Sequence, residues 1–332
     1  MPLALKDGEV LHGRYQIRER IGKGGAGSIY LADDLRLEGR LCALKEVEYD
    51  RTLPDSILQE ARDQFLREAT MLARFDHPNL PKVSDFFSSG PRDYLVMDYV
   101  PGDDLRTIML EARHNNVFLP EERVLDWARQ LMDALSYLHG QDPPIVHRDI
   151  KPSNLKVTPS GVLKLVDFGL VKILSPDQEM TITVIQGQGT ALYTPLEQYG
   201  SDDTHTDTRS DIYAMGATMY HLLTNEPPAD ARRRFIQPAS LLPPRQINAA
   251  LSARTERAVM WAMGLHPDER PATVQELNQF LFKEGTIPLR GRATQIPFEV
   301  SNVDLFGSQA DAILAWAAVS LLLLSLVATL VR

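Results

Sequence analysis

The chain has 332 residues, 44% of them hydrophobic and 24% charged, the balance of a folded protein with a sizeable core and not of a disordered one. With 35 basic against 44 acidic side chains its formal net charge is -9, which speaks against non-specific nucleic-acid binding, because that needs clustered basic charge to displace counterions. Cys42 is the only cysteine, so a disulfide framework and a multi-cysteine zinc site are excluded and a reducing, cytosolic setting fits the main domain.

Residues 1–14 read as a lead, with too short an apolar run before Lys6 and Asp7 for a secretory signal. Strand character begins at Tyr15-Gln16-Ile17, passes Arg18-Glu19-Arg20 to Ile21, and resumes after a glycine cluster at Ile29-Tyr30-Leu31-Ala32. Leu41-Cys42-Ala43-Leu44-Lys45-Glu46-Val47 predicts a further, mostly apolar strand. Leu58, Ala61, Phe65, Ala69 and Leu72 then recur at three and four, the stripe of an amphipathic helix that Asp76-His77-Pro78-Asn79 stops. Strand character returns over 83–87 and 94–100, and Pro101-Gly102 breaks it. Pro120-Glu121-Glu122 opens a helix carrying Val124, Ala128, Leu131, Leu135 and Leu138, ending at Gly140. Further buried helices are expected over 211–223 and 254–263. The layout is a small strand-rich lobe over about 15–97 and a larger helical lobe over about 101–285, with no internal repeat.

Residues 286–311, rich in polar and turn residues, read as a juxtamembrane linker. No charge occurs over 312–331, where Ile313, Leu314, Trp316, Val319 and Leu321 to Leu324 fall. Twenty helical residues span about 30 Å, the hydrocarbon thickness of a bilayer, so this run is expected to be a transmembrane helix. A buried core helix usually carries polar residues on one face, and a cleaved lipid-anchor signal would call for a signal peptide.

The chemistry-bearing residues come in a fixed order. Gly22-Lys23-Gly24-Gly25-Ala26-Gly27-Ser28-Ile29 sits between two expected strands, and glycines let a backbone approach a phosphate closely. A dinucleotide fold would turn here from strand into helix, but the residues that follow favour strand, so a lid over a nucleotide is the better reading. Lys45 lies in an apolar strand, where a buried ammonium is costly unless it meets a negative partner; Glu68 on the following helix can supply one and nucleotide phosphates another. His147-Arg148-Asp149-Ile150-Lys151-Pro152-Ser153-Asn154 follows the long helix, and Asp167-Phe168-Gly169 follows the short apolar run 162–166. Asn154 and Asp167 offer the hard oxygen ligands that Mg2+ demands. Asp149 offers a carboxylate to a substrate hydroxyl, and Lys151 a charge for a phosphoryl group in transfer.

In this order the motifs resemble a eukaryotic-type (Hanks-type) serine/threonine protein kinase of the bacterial branch, a likeness running from about Tyr15 to about Phe282. The resemblance implies an α+β, bilobal protein-kinase fold, joined here to one C-terminal transmembrane helix. It implies ATP and Mg2+ as cofactors and transfer of the γ-phosphoryl group to Ser or Thr hydroxyls of proteins, the chain itself included. By the same resemblance Ile21, Gly22, Gly24, Gly27, Ile29, Ala43, Lys45 and Glu68 serve the nucleotide, and Met97, Asp98, Tyr99 and Val100 form the hinge along adenine. Asn154 and Asp167 would bind the metal, and Asp149 and Lys151 would be catalytic. Gly189-Thr190 resembles the end of the activation segment, and Asp211-Ile212-Tyr213-Ala214-Met215-Gly216 the helix supporting the catalytic loop. Arg270 resembles the buried arginine that pairs with Glu197. Lys151 with Thr190 resembles the serine/threonine-directed members.

Two departures stand out. Pro195-Leu196-Glu197 replaces Ala-Pro-Glu but retains the glutamate. Lys156 stands where the family places an aliphatic residue under adenine; its stem is expected to cover the ring with the ammonium in water, leaving ATP affinity in the usual range. Arg148 suggests control by phosphorylation, with Thr181 and Thr183 as candidate sites. The presence of Lys45, Asp149, Asn154 and Asp167 argues against a pseudokinase scaffold, and the segment ending in Gly189-Thr190 and Glu197 against a small-molecule phosphotransferase. Lys283, Arg290 and Arg292 precede the apolar tail and only Arg332 follows, so a single-pass protein of the cell membrane with a cytoplasmic kinase domain is expected, without a sensor beyond Arg332. The expected partners are protein substrates, the membrane and a second copy for autophosphorylation, with no nucleic acid.

Overall fold

A computed structural model describes residues 4–24, 27–47, 49, 54–167, 172–173, 191–199 and 206–282, all within one unit, Met1–Gly285. Its first part holds strands β1 (Val10–Leu11), β2 (Tyr15–Gly24), β3 (Gly27–Asp34), β4 (Leu41–Val47), β5 (Val83–Ser89) and β6 (Arg92–Asp98), with helix α1 (Asp55–Leu72) between β4 and β5. They form one antiparallel sheet in the order β1-β2-β3-β4-β6-β5. β2 runs without a break from Tyr15 into the glycines, shifting register twice against β3.

Strand alternation gives the sheet two unlike faces. Cys42 and Leu44 point into one layer with Tyr15, Ile17, Tyr30, Ala32 and Val96. Ala43 and Val47 point the other way and pack with Leu95, Met97 and the α1 residues Phe65, Ala69 and Leu72. The α1 stripe is buried at Ala61, Phe65, Ala69 and Leu72 as the spacing predicts, and Glu68 is buried among them. Glu46 is 1% exposed, takes Arg92 at 2.8 Å and accepts from the Tyr94 hydroxyl at 3.1 Å.

The helical part comprises β7 (Asp103–Asp104), α2 (Leu105–His114), α3 (Glu121–His139), β8 (Ile145–Val146), β9 (Leu155–Val157), β10 (Leu163–Leu165) and β11 (Lys172–Ile173). It continues with α4 (Thr208–Thr224), α5 (Ala231–Ile236), α6 (Pro244–Ile247), α7 (Ala253–Ala262) and α8 (Val274–Phe282). α3 starts after Pro120 and stops at Gly140, as expected for a proline entry and a glycine exit. Every residue of α4 from Ser210 to Thr224 is buried, so this helix is the post around which the lobe packs. The chain crosses from β6 to β7 through Gly102 at φ 97, where a Cβ would lie 2.1 Å from the Val157 carbonyl oxygen of β9. Only glycine fits that crossing.

Segment 191–199 is tied down by Arg270, one of the largest fully buried side chains. Its guanidinium donates to both Glu197 oxygens, at 2.6 and 2.9 Å, and to the carbonyls of Gly264, Leu265 and Arg209. Ser210 Oγ adds a 2.8 Å bond to Glu197. The pairing of Glu197 with Arg270 is thus present although Pro195-Leu196 stands where Ala-Pro is usual.

The expected linker 286–311 and transmembrane helix 312–331 lie outside the described residues, as do Gly25, Ala26, Phe168, Gly169, Thr181, Thr183, Gly189 and Thr190. Among the described residues no helix is long and apolar enough to cross a membrane.

Removing one partner of a buried, multiply bonded ion pair strands the other charge, at a cost of about 3–5 kcal/mol. Glu197→Ala is therefore expected to lower the free energy of unfolding in urea by roughly that amount. A loss below about 1 kcal/mol, the range of a surface pair, would contradict this role for Arg270.

Candidate active site

The loop after β8 is held from below by Asp211 near the start of α4. This fully buried carboxylate accepts from the backbone N–H groups of His147 and Arg148, both at 2.8 Å, and lies 2.9 Å from His139 Nε2. Burial opposes its charge, yet the His139 hydrogen bond and the loop amide hold its pKa below the usual carboxylate range. Arg148 is thereby fixed at φ 65, in the left-handed region. Asp149 is presented next. Both its carboxylate oxygens accept from Lys151 Nζ at 2.8 Å. Asn154 Nδ2 donates to the Asp149 carbonyl and to Oδ2, each at 2.8 Å. With its amide nitrogen used in this way, Asn154 keeps Oδ1 for another partner, its described contact there being a long 3.5 Å one from Ser153 Oγ.

From the sheet above, Lys45 projects on the same face of β4 as Ala43, and its ammonium pairs with Asp167. Asp167 sits at φ 59, two residues past β10. The Lys45 charge is the main cause that holds the Asp167 carboxyl below its ordinary range, with smaller contributions from His147 and Lys151. The Val166 N–H, one residue before Asp167, donates to the Asn154 carbonyl at 2.8 Å, and this bond sets the Lys45–Asp167 pair beside the loop that carries Asp149.

Among the described residues the ion pair of Lys45 is with Asp167 and not with Glu68, the partner expected. Glu68 instead accepts from Gln64 Nε2 at 2.6 Å, and among the described residues its buried Oε2 has no hydrogen-bond partner. The two carboxyls differ in what compensates their burial: Asp167 has the Lys45 ammonium, which keeps it charged, whereas burial pushes the Glu68 carboxyl up to about 7 despite Gln64 and Lys45. The i,i+4 spacing of Gln64 and Glu68 on a helix face was the sequence signal for this alternative. His139, in the last turn of α3, also went unread.

The remaining residues line up by register. Gly22 lies opposite Ile29, Ile29 opposite Lys45, and Ala43 opposite Met97. Ile29, Ala43, Lys45 and Met97 thus share one sheet face, while Ile21 is 43% exposed. Gly24 pairs with Gly27, which takes φ 149 and lies so near β4 that a Cβ would come 1.9 Å from the Glu46 carbonyl oxygen. Gly27 is therefore pressed against the strand bearing Lys45. At the sheet's exit Met97 and Val100 are buried and Tyr99 half-buried. Asp98 is exposed, accepting from Arg40 at 3.1 Å while its N–H donates to Lys82 O at 2.9 Å.

The raised Glu68 pKa has a defined pH signature. A carboxyl with a folded-state pKa near 7 and an unfolded value near 4.3 adds stability below the unfolded value, and that stability is lost as pH rises through about 7. Glu68→Gln, which stays neutral, is expected to be more stable than the parent by about 2–3 kcal/mol at pH 8 and equal to it near pH 4. Equal unfolding free energies at both pH values would refute the buried, unpaired state of Glu68.

The protein kinase domain family matches residues 15–278. The chain is 31% identical over 288 residues to serine/threonine-protein kinase PknB of Mycobacterium leprae, covering 82% of this chain and 43% of that protein. It is 32% identical over 277 residues to a probable serine/threonine-protein kinase of Clostridium acetobutylicum, covering 81% and 40%. The chain thus spans about two fifths of the length of these curated relatives. Among solved structures, the apo form of PpkA-294 superposes with a TM-score of 0.68 at 28% identity, covering 84% of this chain and 99% of that one. The kinase domain of Mycobacterium tuberculosis PknI gives 0.61 at 27% identity, covering 84% and 98%. The bilobal fold, the order of its motifs and the span of the match agree: this chain belongs to the protein kinase domain family.

Proposed function

We propose that the chain transfers the γ-phosphoryl group of ATP to Ser or Thr hydroxyls of proteins, with Mg2+. The observation that carries this reading is the Lys45–Asp167 pair set beside the Asp149–Lys151–Asn154 cluster by the 2.8 Å bond from Val166 N–H to the Asn154 carbonyl. The relatives, each bearing a serine/threonine-protein kinase name, and Lys151 two residues past Asp149 support the substrate class.

The donor set fits a hard divalent cation. Asp167 is held ionised, Asn154 keeps an amide oxygen, and among the described residues no cluster of three or more acidic, His or Cys side chains competes for a metal. Mg2+ takes only one or two protein carboxylates together with phosphate oxygens, whose charge it would neutralise when bound. Lys45 would turn from Asp167 to the α- and β-phosphates, and the unpartnered Oε2 of Glu68 is the oxygen that could then receive its ammonium. Gly22, Gly24 and Gly27 would bring backbone N–H groups over the phosphates. Asp149 would orient the hydroxyl and take its proton as the oxygen–phosphorus bond forms and ADP leaves, while Lys151 balances charge on the moving group.

We further propose that 312–331 anchors the chain in the cell membrane with the kinase domain on the cytoplasmic side, that a second copy serves autophosphorylation, and that Thr181 or Thr183 is a site of it. The charge-free run, its basic flank and Arg148 beside Asp149 support this reading.

With labelled ATP, Mg2+ and a protein acceptor, Asp149→Asn and Lys45→Met are each expected to lose at least about 100-fold in rate. Their thermal unfolding should stay close to the parent's. Undiminished transfer by Lys45→Met would reject the assignment. Separately, the full chain should sediment with membranes and resist alkaline extraction, and deletion of 312–331 should release it. A full chain found in the soluble fraction would refute the anchor.

A further inference from the structure

Lys156 lies in β9 between Leu155 and Val157, both of which turn into the core of the helical lobe. Alternation puts Lys156 on the opposite face. On that face its register partner Lys164 donates to the Leu80 carbonyl at 3.3 Å, in the connection between α1 and β5, so the face is turned toward the strand-rich lobe. The other register partner, Asp104, has its carboxylate engaged in capping α2, accepting from Thr107 N–H at 2.8 Å and Thr107 Oγ1 at 3.2 Å. The Lys156 ammonium stands 5.9 Å from the centroid of the Tyr99 ring, beside the end of β6. Among the described residues no carboxylate lies within ion-pair distance of it. A half-buried ammonium whose described partner is one aromatic ring, near the limit of cation–π range, has capacity for a second π face. The opposing sheet face offers Ile29, Ala43 and Met97, which are apolar and supply none.

Resting on the reading that this cleft takes ATP, we propose that Lys156 is a base-recognition residue whose charge, and not only its stem, holds the purine. The ammonium sits between the Tyr99 ring and the base, so that one cation serves two π systems in a half-buried site. This revises the expectation that the ammonium would simply reach solvent. The departure from an aliphatic floor thereby becomes a determinant of affinity for the base.

The test is calorimetric titration of the full chain with ATP and, separately, with adenosine, for the parent, Lys156→Met and Lys156→Arg. Met keeps an unbranched stem without the charge, and Arg keeps a cation. Lys156→Met is expected to weaken both ligands by the same factor, roughly three- to tenfold, and Lys156→Arg to hold both within about twofold. Unchanged affinities in Lys156→Met would overturn the proposal in favour of the stem alone. A loss for ATP with adenosine unaffected would overturn it in favour of a field acting on the phosphates. A parent chain that binds neither ligand would instead defeat the nucleotide reading on which the proposal rests.

Discussion

Asp211 carries the constraint on which the cleft depends. A carboxylate with no exposed surface is tolerable only if its lone pairs are filled, and here two consecutive loop amides and a histidine fill them. The same bonds force Arg148 into a backbone region that a non-glycine residue rarely occupies, and so dictate where Asp149 points. Because α4 is buried throughout, the carboxylate does not shift without the lobe repacking. One residue before it in that helix, Ser210 reaches Glu197, which Arg270 also holds, so one post fixes both the catalytic loop and segment 191–199.

The strand-rich lobe solves a different problem, that of placing a lysine and a glutamate in successive positions of one strand. Alternation sends Lys45 into the cleft and Glu46 into the opposite layer, where Arg92 and Tyr94 satisfy it. In the cleft two carboxyls stand to one ammonium. Asp167 holds the lysine and is kept charged by it, while Glu68, desolvated and bonded to Gln64, is held near the midpoint of its titration at neutral pH. The arrangement is one of stored alternatives: a carboxylate on α1 stands ready for an ammonium now engaged elsewhere.

Much of this was legible in the residues. The α1 stripe, the proline-to-glycine limits of α3, the apolar strand of Lys45 and the pairing of Glu197 with Arg270 follow from local spacing or from motif order, and the structure places them as expected. What escaped the sequence was the choice among partners. Nothing local says that Lys45 meets Asp167, 122 residues away, in preference to Glu68, or that Glu46 is buried with Arg92. Such choices depend on relative desolvation, a property of the assembled lobes and not of any segment. The strand read from Tyr15 to Ile21 in fact runs on to Gly24, because glycines, poor in strand preference, still take extended backbone when β3 pairs with them.

The bare backbone at Gly102 has a mechanical corollary. The connection between the two lobes lies directly on the Val157 carbonyl, with no room even for a methyl group. Any bulk added there would act as a spacer, prising the upper sheet away from β9 and with it Tyr99 from Lys156. Natural drift at this codon would therefore surface as an altered gap between β6 and β9, while the bonds around Asp149 stayed intact.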